Sequence, residues 1–360
     1  MKENVLIAMS GGVDSSAAAC LLIQQGYSCV GGIMQLCTQK LLGSNADLTA
    51  NISDAQTVAC KLGIPLHIFD ATELFNEKVV DNFVHCYETG LTPNPCIQCN
   101  RYLKFSHLVQ KASELNCQYV ATGHYARIRR DNNTGRFLLY KATDPAKDQS
   151  YFLYMLNQEQ LSHILFPLGE LSKEQARQIA ADAGLINARK RDSQDICFIP
   201  DGDYASFIRR YTGKHYPTGD FLDLFGQKVG THNGYIDYTL GQRKGLGLAM
   251  GEPVYVCAKN KDNNTVTVGP NDALLSNALL ANDWNWIPFP QLEQPLRVFA
   301  KARSRHAPQQ ATVYPESNGY CKVVFDQPQR ALTPGQAVVL YDGDMVIGGG
   351  TITKAFHAEP

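Results

Sequence analysis

Three short stretches of this sequence carry residue types that could do chemistry, and the first is the loop MSGGVDSS at 9–16. It follows the apolar run NVLIAM and precedes a helical pattern, so it joins a strand to a helix. Its glycines let a ligand approach the backbone, and its serine hydroxyls and helix N-terminal N–H groups suit a phosphate anion. No Gly-Lys-Ser/Thr follows, which excludes the P-loop of kinases. The alternative is a plain Ser-Gly-Gly turn that caps the helix. We favour a phosphate site, and Asp14 indicates a screening cation such as Mg²⁺.

The other two stretches carry cysteines. TPNPCIQCN (92–100) places Cys96 and Cys99 three residues apart, and RDSQDICFIP (191–200) contains Cys197. A zinc site would need a second ligand pair, and the sequence has no other CxxC and no HxxxH. A thioredoxin-like dithiol would lie near the N-terminal strand and helix, where the phosphate loop lies instead. Cys197 has polar neighbours, so we expect an exposed, reactive thiol, with Asp195 as a candidate acid or base or else a surface carboxylate.

Composition sets the frame for these sites. The chain has 360 residues and a net charge of −1. Its length and its 44% hydrophobic content predict two or three folded domains. Eleven cysteines are an odd number in a chain without a signal-peptide pattern, so we expect reduced thiols and a cytoplasmic location. Cys20, Cys60 and Cys117 lie in apolar or helical contexts and are expected in cores. No apolar run reaches the ~20 residues of a membrane span.

The elements that must position these residues follow from the hydrophobic pattern. Short apolar runs alternate with helical segments up to about residue 200, which predicts an α/β fold with a doubly wound parallel sheet. Ser172 with Gln175 forms a capping box that opens one of these helices. Helical periodicity then largely gives out, and short β-prone runs with tight turns, including a hairpin at Asn263-Asn264, suggest a small β-barrel. We expect boundaries near 200 and 275, giving domains 1–200, 201–275 and 276–360.

In a doubly wound sheet, ligands bind at the carboxyl ends of the strands. Met34 ends the second predicted strand, and Gly123-His124 ends the strand in VATGHYA. We therefore expect Met34 to line an adenine pocket and Gly123 to allow close approach of ribose or phosphate. The alternatives are a core methionine and a packed or solvated histidine.

The segment SGGVDS resembles the PP-loop of the N-type ATP pyrophosphatases, which split ATP into AMP and pyrophosphate. Together with TPNPCIQCNRYLKF, ATGHYAR, KDQSYFLY, DSQDICFIP, TLGQRKGLG and TPGQAVVLYDGD, it closely resembles the tRNA-specific 2-thiouridylase family along essentially the whole chain. The resemblance implies a catalytic domain of the adenine nucleotide α hydrolase type, a small central domain and a C-terminal β-barrel. It also implies ATP-dependent replacement of O2 by sulfur on the wobble uridine of tRNAs for Lys, Glu and Gln.

The resemblance also implies roles for individual residues. Cys99 matches the first catalytic cysteine, and Cys197 matches the cysteine that carries a persulfide. Cys96 stands where other members have Asp or Cys. The segment MQLCTQKLLGSNADLTANISDAQ departs from the family's acidic, tryptophan-containing version, which leaves the role of Cys37 open, with an incidental thiol as the default. The residues expected to contact ATP are Ala8, Met9, Ser10, Gly11, Gly12, Val13, Asp14, Ser15, Met34 and Gly123. Those expected to contact tRNA are Asn94, Pro95, Cys96, His124, Lys147, Asp148, Gln149, Arg303, Ser304 and Gln336. Ser304 stands where an aromatic is frequent in the family, which weakens that contact.

The expected partners are ATP with Mg²⁺, the anticodon loop of tRNA and a persulfide donor protein, acting on a monomer with no tightly bound metal. Three alternatives remain open. The chain could be another PP-loop ligase, although those need neither paired cysteines nor a barrel. Cys96, Cys99 and Cys197 could hold an iron–sulfur cluster, which would colour the protein. The chain could also be a tRNA-binding module without turnover.

Overall fold

The computed structural model describes residues 2–42, 49–190 and 196–358. Its first part is built on a five-stranded parallel sheet in the order β3-β2-β1-β4-β7. The strands are β1 (Asn4–Ala8), β2 (Ser28–Gln35), β3 (Leu66–Asp70), β4 (Tyr119–Ala121) and β7 (Ile164–Leu165). The central strand β1 is a continuous apolar run with Val5, Leu6 and Ile7 fully buried, as expected for a parallel strand covered on both faces.

Helices cover both faces of this sheet. The helices α1 (Val13–Gln24), α3 (Ala50–Leu62) and α9 (Lys173–Asp182) pack on one face, and α7 (Leu108–Glu114) packs on the other. The predicted capping box opens α9: the Ser172 hydroxyl accepts from the Gln175 N–H, and the Gln175 side chain accepts from the Ser172 N–H. The doubly wound α/β fold is thus confirmed.

Shorter helices complete the chain. They are α2 (Gln39–Leu42), α4 (Thr72–Phe75), α5 (Asp81–Glu88), α6 (Pro95–Cys99), α8 (Gln158–Ser162) and α10 (Tyr204–Thr212). π-Helical turns at Asn76–Val80 and Asn100–His107 join α4 to α5 and α6 to α7. Single 3₁₀ turns lie at Ser150–Phe152, Tyr235–Asp237, Asn271–Leu274 and Ser317–Gly319. Helix α10 lies beyond the point where helical periodicity was expected to fade. Its local signals are an Asp203 cap on the Ser206 N–H and a left-handed Gly213 at its end.

The central part is a four-stranded sheet in the order β10-β11-β8-β9. Its strands are β8 (Gly219–Leu222), β9 (Lys228–His232), β10 (Tyr255–Asn260) and β11 (Thr265–Gly269). The predicted hairpin is β10–β11, and its turn ends at Asn264 with φ +48°. Phe221, Val256 and Val266 are fully buried in a small core of its own.

The last part is a closed antiparallel barrel of six strands, as the sequence suggested. The strands follow the order β12-β15-β14-β13-β16-β17, and pairing of β12 with β17 closes the circle. They are β12 (Leu275–Trp286), β13 (Leu296–Lys301), β14 (Gln309–Pro315), β15 (Cys321–Arg330), β16 (Ala337–Asp342) and β17 (Met345–Phe356).

The barrel is joined to the first part by a hairpin that the sequence did not predict. Strands β5 (Ala126–Arg130) and β6 (Phe137–Lys141) follow β4 in the chain and extend the barrel sheet, with Tyr140 opposite Met345 of β17. One apolar core spans this junction: Ile97, Phe105 and Tyr151 cluster with the barrel residues Val339 and Tyr341. The barrel is therefore packed directly against the segment that carries Cys99. Among the described residues, no helix is both long and apolar enough to cross a membrane.

Candidate active site

The phosphate loop, Ser10–Ser16, leaves β1 and enters α1. Its hydroxyls brace the turn, since the Ser15 and Ser16 side chains each donate to the Gly12 carbonyl at 3.0 Å. The Ser10 N–H donates to the Ser15 hydroxyl at 3.2 Å. Gly12 caps α1 without a side-chain hydrogen bond, so the first N–H groups of the helix remain available to an anion. The loop therefore has the geometry of a phosphate site.

Gly11 explains why the loop needs glycine. Its φ is +69°, and a Cβ there would lie 2.6 Å from the carbonyl oxygen of Asn51 at the start of α3. Both the left-handed conformation and the close helix exclude a side chain. The loop is thus held in place by α3 as well as by its own hydroxyls.

Asp14 makes contacts that the sequence could not show. Its carboxylate accepts from Lys173 Nζ at 2.7 and 2.8 Å and from the Tyr125 hydroxyl at 2.7 Å. Lys173 is 5% exposed and lies in the first turn of α9. The charge facing Asp14 in the structure is therefore an ammonium group, while Mg²⁺ stays a prediction.

Of the two strand-end residues expected near the nucleotide, Gly123 lies against the phosphate loop, while the contact of Met34 with adenine stays a prediction. A Cβ on Gly123 would lie 2.7 Å from both the Asp14 carbonyl carbon and the Ser15 nitrogen, so glycine lets β4 pack on the loop backbone. Met34 is half-buried beside Phe69 on the neighbouring strand. Met9 and Val13 point into the core at 3% exposure each. Any contact of these two with ATP would therefore come from their backbone, as it would for Ala8 at the strand end.

Two residues that the sequence did not single out support the loop. The Asn187 amide donates to the Gly11 carbonyl at 3.2 Å and to the Ser16 hydroxyl at 2.8 Å, fully out of solvent. Lys190 Nζ donates to Asp54 at 2.7 Å and lies 3.4 Å from the same Gly11 carbonyl. Both belong to the segment just before 191–195, so the phosphate loop touches the chain that leads to Cys197. No motif marks these residues, because their role depends on tertiary contacts.

Four cysteines lie near enough to one another to interact electrostatically: Cys37, Cys96, Cys99 and Cys197, which we call the thiol cluster. Cys99 is the last residue of α6 and is buried at 8% exposure, whereas Cys96 and Cys197 are exposed and Cys37 is half-buried. The exposed Cys197 confirms the expectation from its polar neighbours. The burial of Cys99 was not predicted, and it follows from packing of α6 against α5 and Phe198.

Elsewhere, Cys20 and Cys117 are core residues as expected, but the expectation for Cys60 is wrong, because it lies on the exposed face of α3.

Aromatic packing fixes the chain around Cys197. Phe198 meets the rings of Phe75 and Phe83 edge-on, at centroid distances of 5.6 and 5.4 Å. Its backbone neighbour Cys197 is therefore anchored although the thiol reaches solvent. Asp195, the candidate acid or base, lies outside the described residues.

The thiols of the cluster act on one another electrostatically. Surrounding protein atoms desolvate Cys197 and raise its pKa, and Cys99, Cys37 and Cys96 raise it further. Burial is also the main cause that raises the pKa values of Cys99 and Cys96. The reduced cluster is therefore largely protonated near neutral pH.

One cation opposes these shifts. Lys104, in the π-helical turn after Cys99, lowers the pKa of Cys96, Cys99 and Cys197. It thus favours the thiolate, which is the nucleophilic form. Lys104 lies in the motif TPNPCIQCNRYLKF, but only the fold shows which thiols it faces.

A barrel loop holds the segment Thr92–Cys96. Gln336 Nε2 donates to the carbonyls of Thr92 at 2.9 Å and Pro93 at 3.0 Å, and the Thr92 N–H donates to Pro334 O at 3.0 Å. A Cβ on Gly335, whose φ is +90°, would lie 2.9 Å from Thr92 O. We call this contact the barrel clasp. It positions Asn94, Pro95 and Cys96, which were expected to contact tRNA, and it engages Gln336 inside the protein.

The remaining predicted tRNA residues lie in two places. His124 is next to Thr122, with Nδ1 and Oγ1 2.7 Å apart, and burial with Lys104 lowers its pKa well below the usual value, so the imidazole is neutral. Asp148 accepts from the Ala142 and Ser150 N–H groups, and the Gln149 side chain accepts from Tyr125 N–H. These bonds shape the turn in which Lys147 lies half-buried.

Arg303 and Ser304 lie on the barrel, far along the chain from the other predicted contacts. Arg303 donates to the Leu240 carbonyl and to the Thr333 hydroxyl, and burial lowers its pKa. It lines a cleft of about 380 Å³ between the barrel and the central sheet, together with Tyr204 and Asp237. Arg303 thus joins two parts of the molecule, and its contact with tRNA stays a prediction, as does that of Ser304.

No group of three or more His, Cys, Asp or Glu side chains in residues 2–42, 49–190 and 196–358 is arranged to hold a metal ion. The described part of the thiol cluster is therefore a set of free thiols in this geometry.

Comparison with known proteins covers nearly the whole chain. Family models match in three successive pieces: "tRNA methyl transferase HUP domain" at 3–201, "tRNA methyl transferase PRC-barrel domain" at 205–270 and "Aminomethyltransferase beta-barrel domain" at 276–352. The tRNA-specific 2-thiouridylase MnmA of Clostridioides difficile is 47% identical over 359 residues, covering 99% of both chains. That of Acetivibrio thermocellus is 47% identical over 357 residues, covering 98% of this chain and 99% of the relative. That of Heliobacterium modesticaldum is 48% identical over 360 residues, covering 98% of this chain and 93% of the relative. With a matching model over more than half of its length and relatives this similar from end to end, the chain belongs to the tRNA-specific 2-thiouridylase family.

Proposed function

We propose that this protein replaces O2 of the wobble uridine of tRNA by sulfur, using ATP to activate the oxygen and a persulfide as the sulfur source. The relatives named above support a thiolated tRNA uridine as the product. The tRNAs for Lys, Glu and Gln, and a separate protein that donates the persulfide, belong to the same proposal.

One observation carries the proposal: the phosphate loop and the thiol cluster lie at the same edge of one sheet. The loop follows β1, and Cys37 follows the adjacent strand β2 by two residues. Met34, at the end of β2, packs in the same apolar cluster as Cys99 and Phe198. A base activated at the phosphate loop would therefore lie within reach of a sulfur nucleophile.

The first step is adenylation. The N–H groups at the start of α1 and the Ser10 hydroxyl bind phosphate oxygens of ATP. Uridine O2 attacks the α-phosphorus, pyrophosphate leaves, and O2 becomes part of a good leaving group. An anticodon loop is largely unpaired, so extruding its base into the site costs only a few kcal/mol.

The second step moves the sulfur. The exposed Cys197 receives sulfane sulfur from the donor and holds it as a persulfide. The terminal sulfur attacks C2 of the uridine and AMP leaves with the former O2. The buried Cys99 attacks Cys197 Sγ, so that a Cys99–Cys197 bond forms and the bond from Cys197 Sγ to the transferred sulfur breaks, either then or earlier to release hydrosulfide. The sulfane sulfur is thereby reduced and the two thiols are oxidised to a Cys99–Cys197 disulfide, which a dithiol must reduce before the next turnover.

Mg²⁺ fits the site as a companion of ATP. It typically takes one or two carboxylates, with phosphate oxygens and waters as its other ligands. Asp14 is the carboxylate of the phosphate loop, and its oxygens keep acceptor capacity beside Lys173. The ion would neutralise phosphate charge.

The test is a thiolation assay with purified protein, ATP, Mg²⁺, a persulfide source and unmodified tRNA, resolved on a gel that retards thiolated RNA. Cys99→Ser and Cys197→Ser should each lower the rate more than about a thousandfold, because each removes a reacting sulfur. Cys86→Ser is the control, since Cys86 is a half-buried thiol on α5 that does not enter the thiol cluster.

Three results would contradict the proposal. AMP formation with some other acceptor, and no thiolated RNA, would keep the ATP chemistry and discard the tRNA substrate. Equal loss in Cys96→Ser, Cys99→Ser and Cys197→Ser, with a coloured wild-type protein, would favour an iron–sulfur cluster. tRNA binding without ATP turnover would leave a binding module.

A further inference from the structure

Cys37 is the member of the thiol cluster that the proposed sulfur transfer does not use. It lies two residues beyond β2, at the ligand-binding edge of the parallel sheet. Its side chain is half-buried and packs with the apolar cluster that contains Cys99 and Phe198. Cys37 therefore belongs to the same packed region as Cys99.

Cys37, Cys99 and Cys197 differ in exposure, which suggests that the three thiols have different roles. Cys197 is exposed, Cys99 is 8% exposed and Cys37 is half-buried. Cys99 is thus the sulfur enclosed by the fold, with Cys37 and Cys197 as its neighbours. Burial, with a smaller contribution from Cys99, raises the pKa of Cys37 to about 11, which shows the two sulfurs to be electrostatic neighbours.

We propose that Cys37 is a third redox thiol, which exchanges with the Cys99–Cys197 disulfide and so frees Cys197 to accept the next sulfur. The proposal rests on the proposed function, because that reaction produces the disulfide.

The exchange is balanced without any further reagent. The Cys37 thiolate attacks Cys99 Sγ, a Cys37–Cys99 bond forms, and the Cys99–Cys197 bond breaks. Cys197 leaves as a thiolate and takes up the proton that Cys37 lost. One disulfide is present before and after, so the protein is neither oxidised nor reduced. The dithiol that completes the cycle then reduces Cys37–Cys99 instead of Cys99–Cys197.

The first experiment tests whether the fold permits this bond, and it does not depend on thiolation. Full-length Cys197→Ser protein is oxidised with diamide, quenched with acid, alkylated and mapped by peptide mass spectrometry. We expect a Cys37–Cys99 cross-linked peptide as the main disulfide. Two cysteines pair without backbone movement only when their Cα atoms lie within about 7 Å, so the map is stringent. Absence of that peptide, with Cys37 and Cys99 both alkylated, overturns the proposal.

The second experiment measures turnover. When wild type and Cys37→Ser are each preloaded as the persulfide, the two proteins should thiolate tRNA at the same single-turnover rate, because the exchange follows sulfur transfer. Under multiple turnover with limiting dithiol, Cys37→Ser should be slower by about fivefold or more, while Cys86→Ser and the exposed Cys60→Ser should match wild type. Equal multiple-turnover rates in Cys37→Ser and wild type overturn the proposal.

The two experiments separate the proposals. A wild type that never thiolates tRNA removes the proposed function and with it the catalytic role of the exchange. A wild type that thiolates, with no Cys37–Cys99 bond in Cys197→Ser, removes only the inference about Cys37.

Discussion

The phosphate loop and the thiol cluster share one edge of the parallel sheet, yet the chain builds them in opposite ways. The loop is seven consecutive residues, and its bracing bonds join residues two to five apart. The thiol cluster draws on three segments separated by more than fifty residues each, and a barrel loop more than 200 residues away clasps one of them. A contiguous motif can therefore specify the first site, whereas only the assembled fold specifies the second.

The difference also concerns charge. The phosphate loop offers unpaired N–H groups and has its one carboxylate engaged by Lys173, so it is ready for an anion. The thiol cluster is held protonated by desolvation, with Lys104 as the opposing charge. The phosphate loop is therefore preorganised, whereas each thiol of the cluster must lose its proton before it can react.

Gly123→Ala tests whether the contiguous phosphate loop depends on the distant strand β4, and it should have the largest effect. The new Cβ would lie 2.7 Å from the backbone of Asp14 and Ser15, which cannot move like a side-chain tip. Displacing phosphate-binding groups by a fraction of an ångström should lower kcat/KM for ATP about a hundredfold. The measurement is pyrophosphate release, with the thermal unfolding curve as a check that the fold persists. A rate within threefold of wild type would show that the loop tolerates the shift.

The sequence predicted the phosphate loop because its signal is local: two glycines, three hydroxyls and a following helix. The alternation of strands and helices and the capping box at Ser172 were likewise local or periodic patterns. The support from Asn187 and Lys190 could not be predicted, because it joins residues about 175 apart in the chain. The hairpin β5–β6 was missed for a related reason, since its partner strand β17 lies some 200 residues further on.

The thiol cluster was predicted only in part. Cys99 and Cys197 were identified by their resemblance to a family, and the exposure of Cys197 followed from its polar neighbours. The burial of Cys99, the approach of Cys37 and the position of Lys104 are consequences of packing between α5, α6 and the chain at Phe198. Sequence spacing carries no information on such contacts.

Lys173→Met tests the ion pair with Asp14 at the phosphate loop. The Lys173 side chain is 6% exposed and Asp14 is 31% exposed, so the variant leaves a carboxylate half-enclosed without its cation. We expect a loss of about 1–3 kcal/mol in the free energy of unfolding, less than for a fully buried pair because water reaches Asp14. ATP binding should weaken by about tenfold, since the same carboxylate borders the phosphates.

Lys111→Met is the matched control for that variant, because its partner Glu114 is 49% exposed on one face of α7. Denaturant unfolding should show a loss below about 0.5 kcal/mol there. Equal losses in the two variants would mean that the Asp14 pair is an ordinary surface pair.

Gln336→Glu tests the barrel clasp. A carboxylate cannot donate to the carbonyls of Thr92 and Pro93, and its charge repels both oxygens. We expect kcat for thiolation to fall about tenfold, which corresponds to the ~1.4 kcal/mol of a lost buried hydrogen bond, while the KM for ATP changes less than twofold. Gln329→Glu, on β15, where the side-chain amide donates to the Gln327 carbonyl, should leave both unchanged. A raised KM for ATP with unchanged kcat would place the clasp at the nucleotide instead.

Lys104→Gln should have the smallest effect, and it separates the two sites by pH. Lys104 lowers the pKa of Cys99 and Cys197, so its loss raises both values and leaves less thiolate at any pH below them. Alkylation of Cys99 and Cys197, followed for each peptide by mass spectrometry, should slow severalfold at pH 8, and the profile should move to higher pH by less than about one unit. Lys111→Gln, which faces His107 and no thiol of the cluster, should leave the profile in place. Since Lys104 acts on the thiols and not on the phosphate loop, ATP binding should stay constant while the pH profile of alkylation shifts. A change in ATP binding with an unchanged alkylation profile would instead show that Lys104 acts on the phosphate loop.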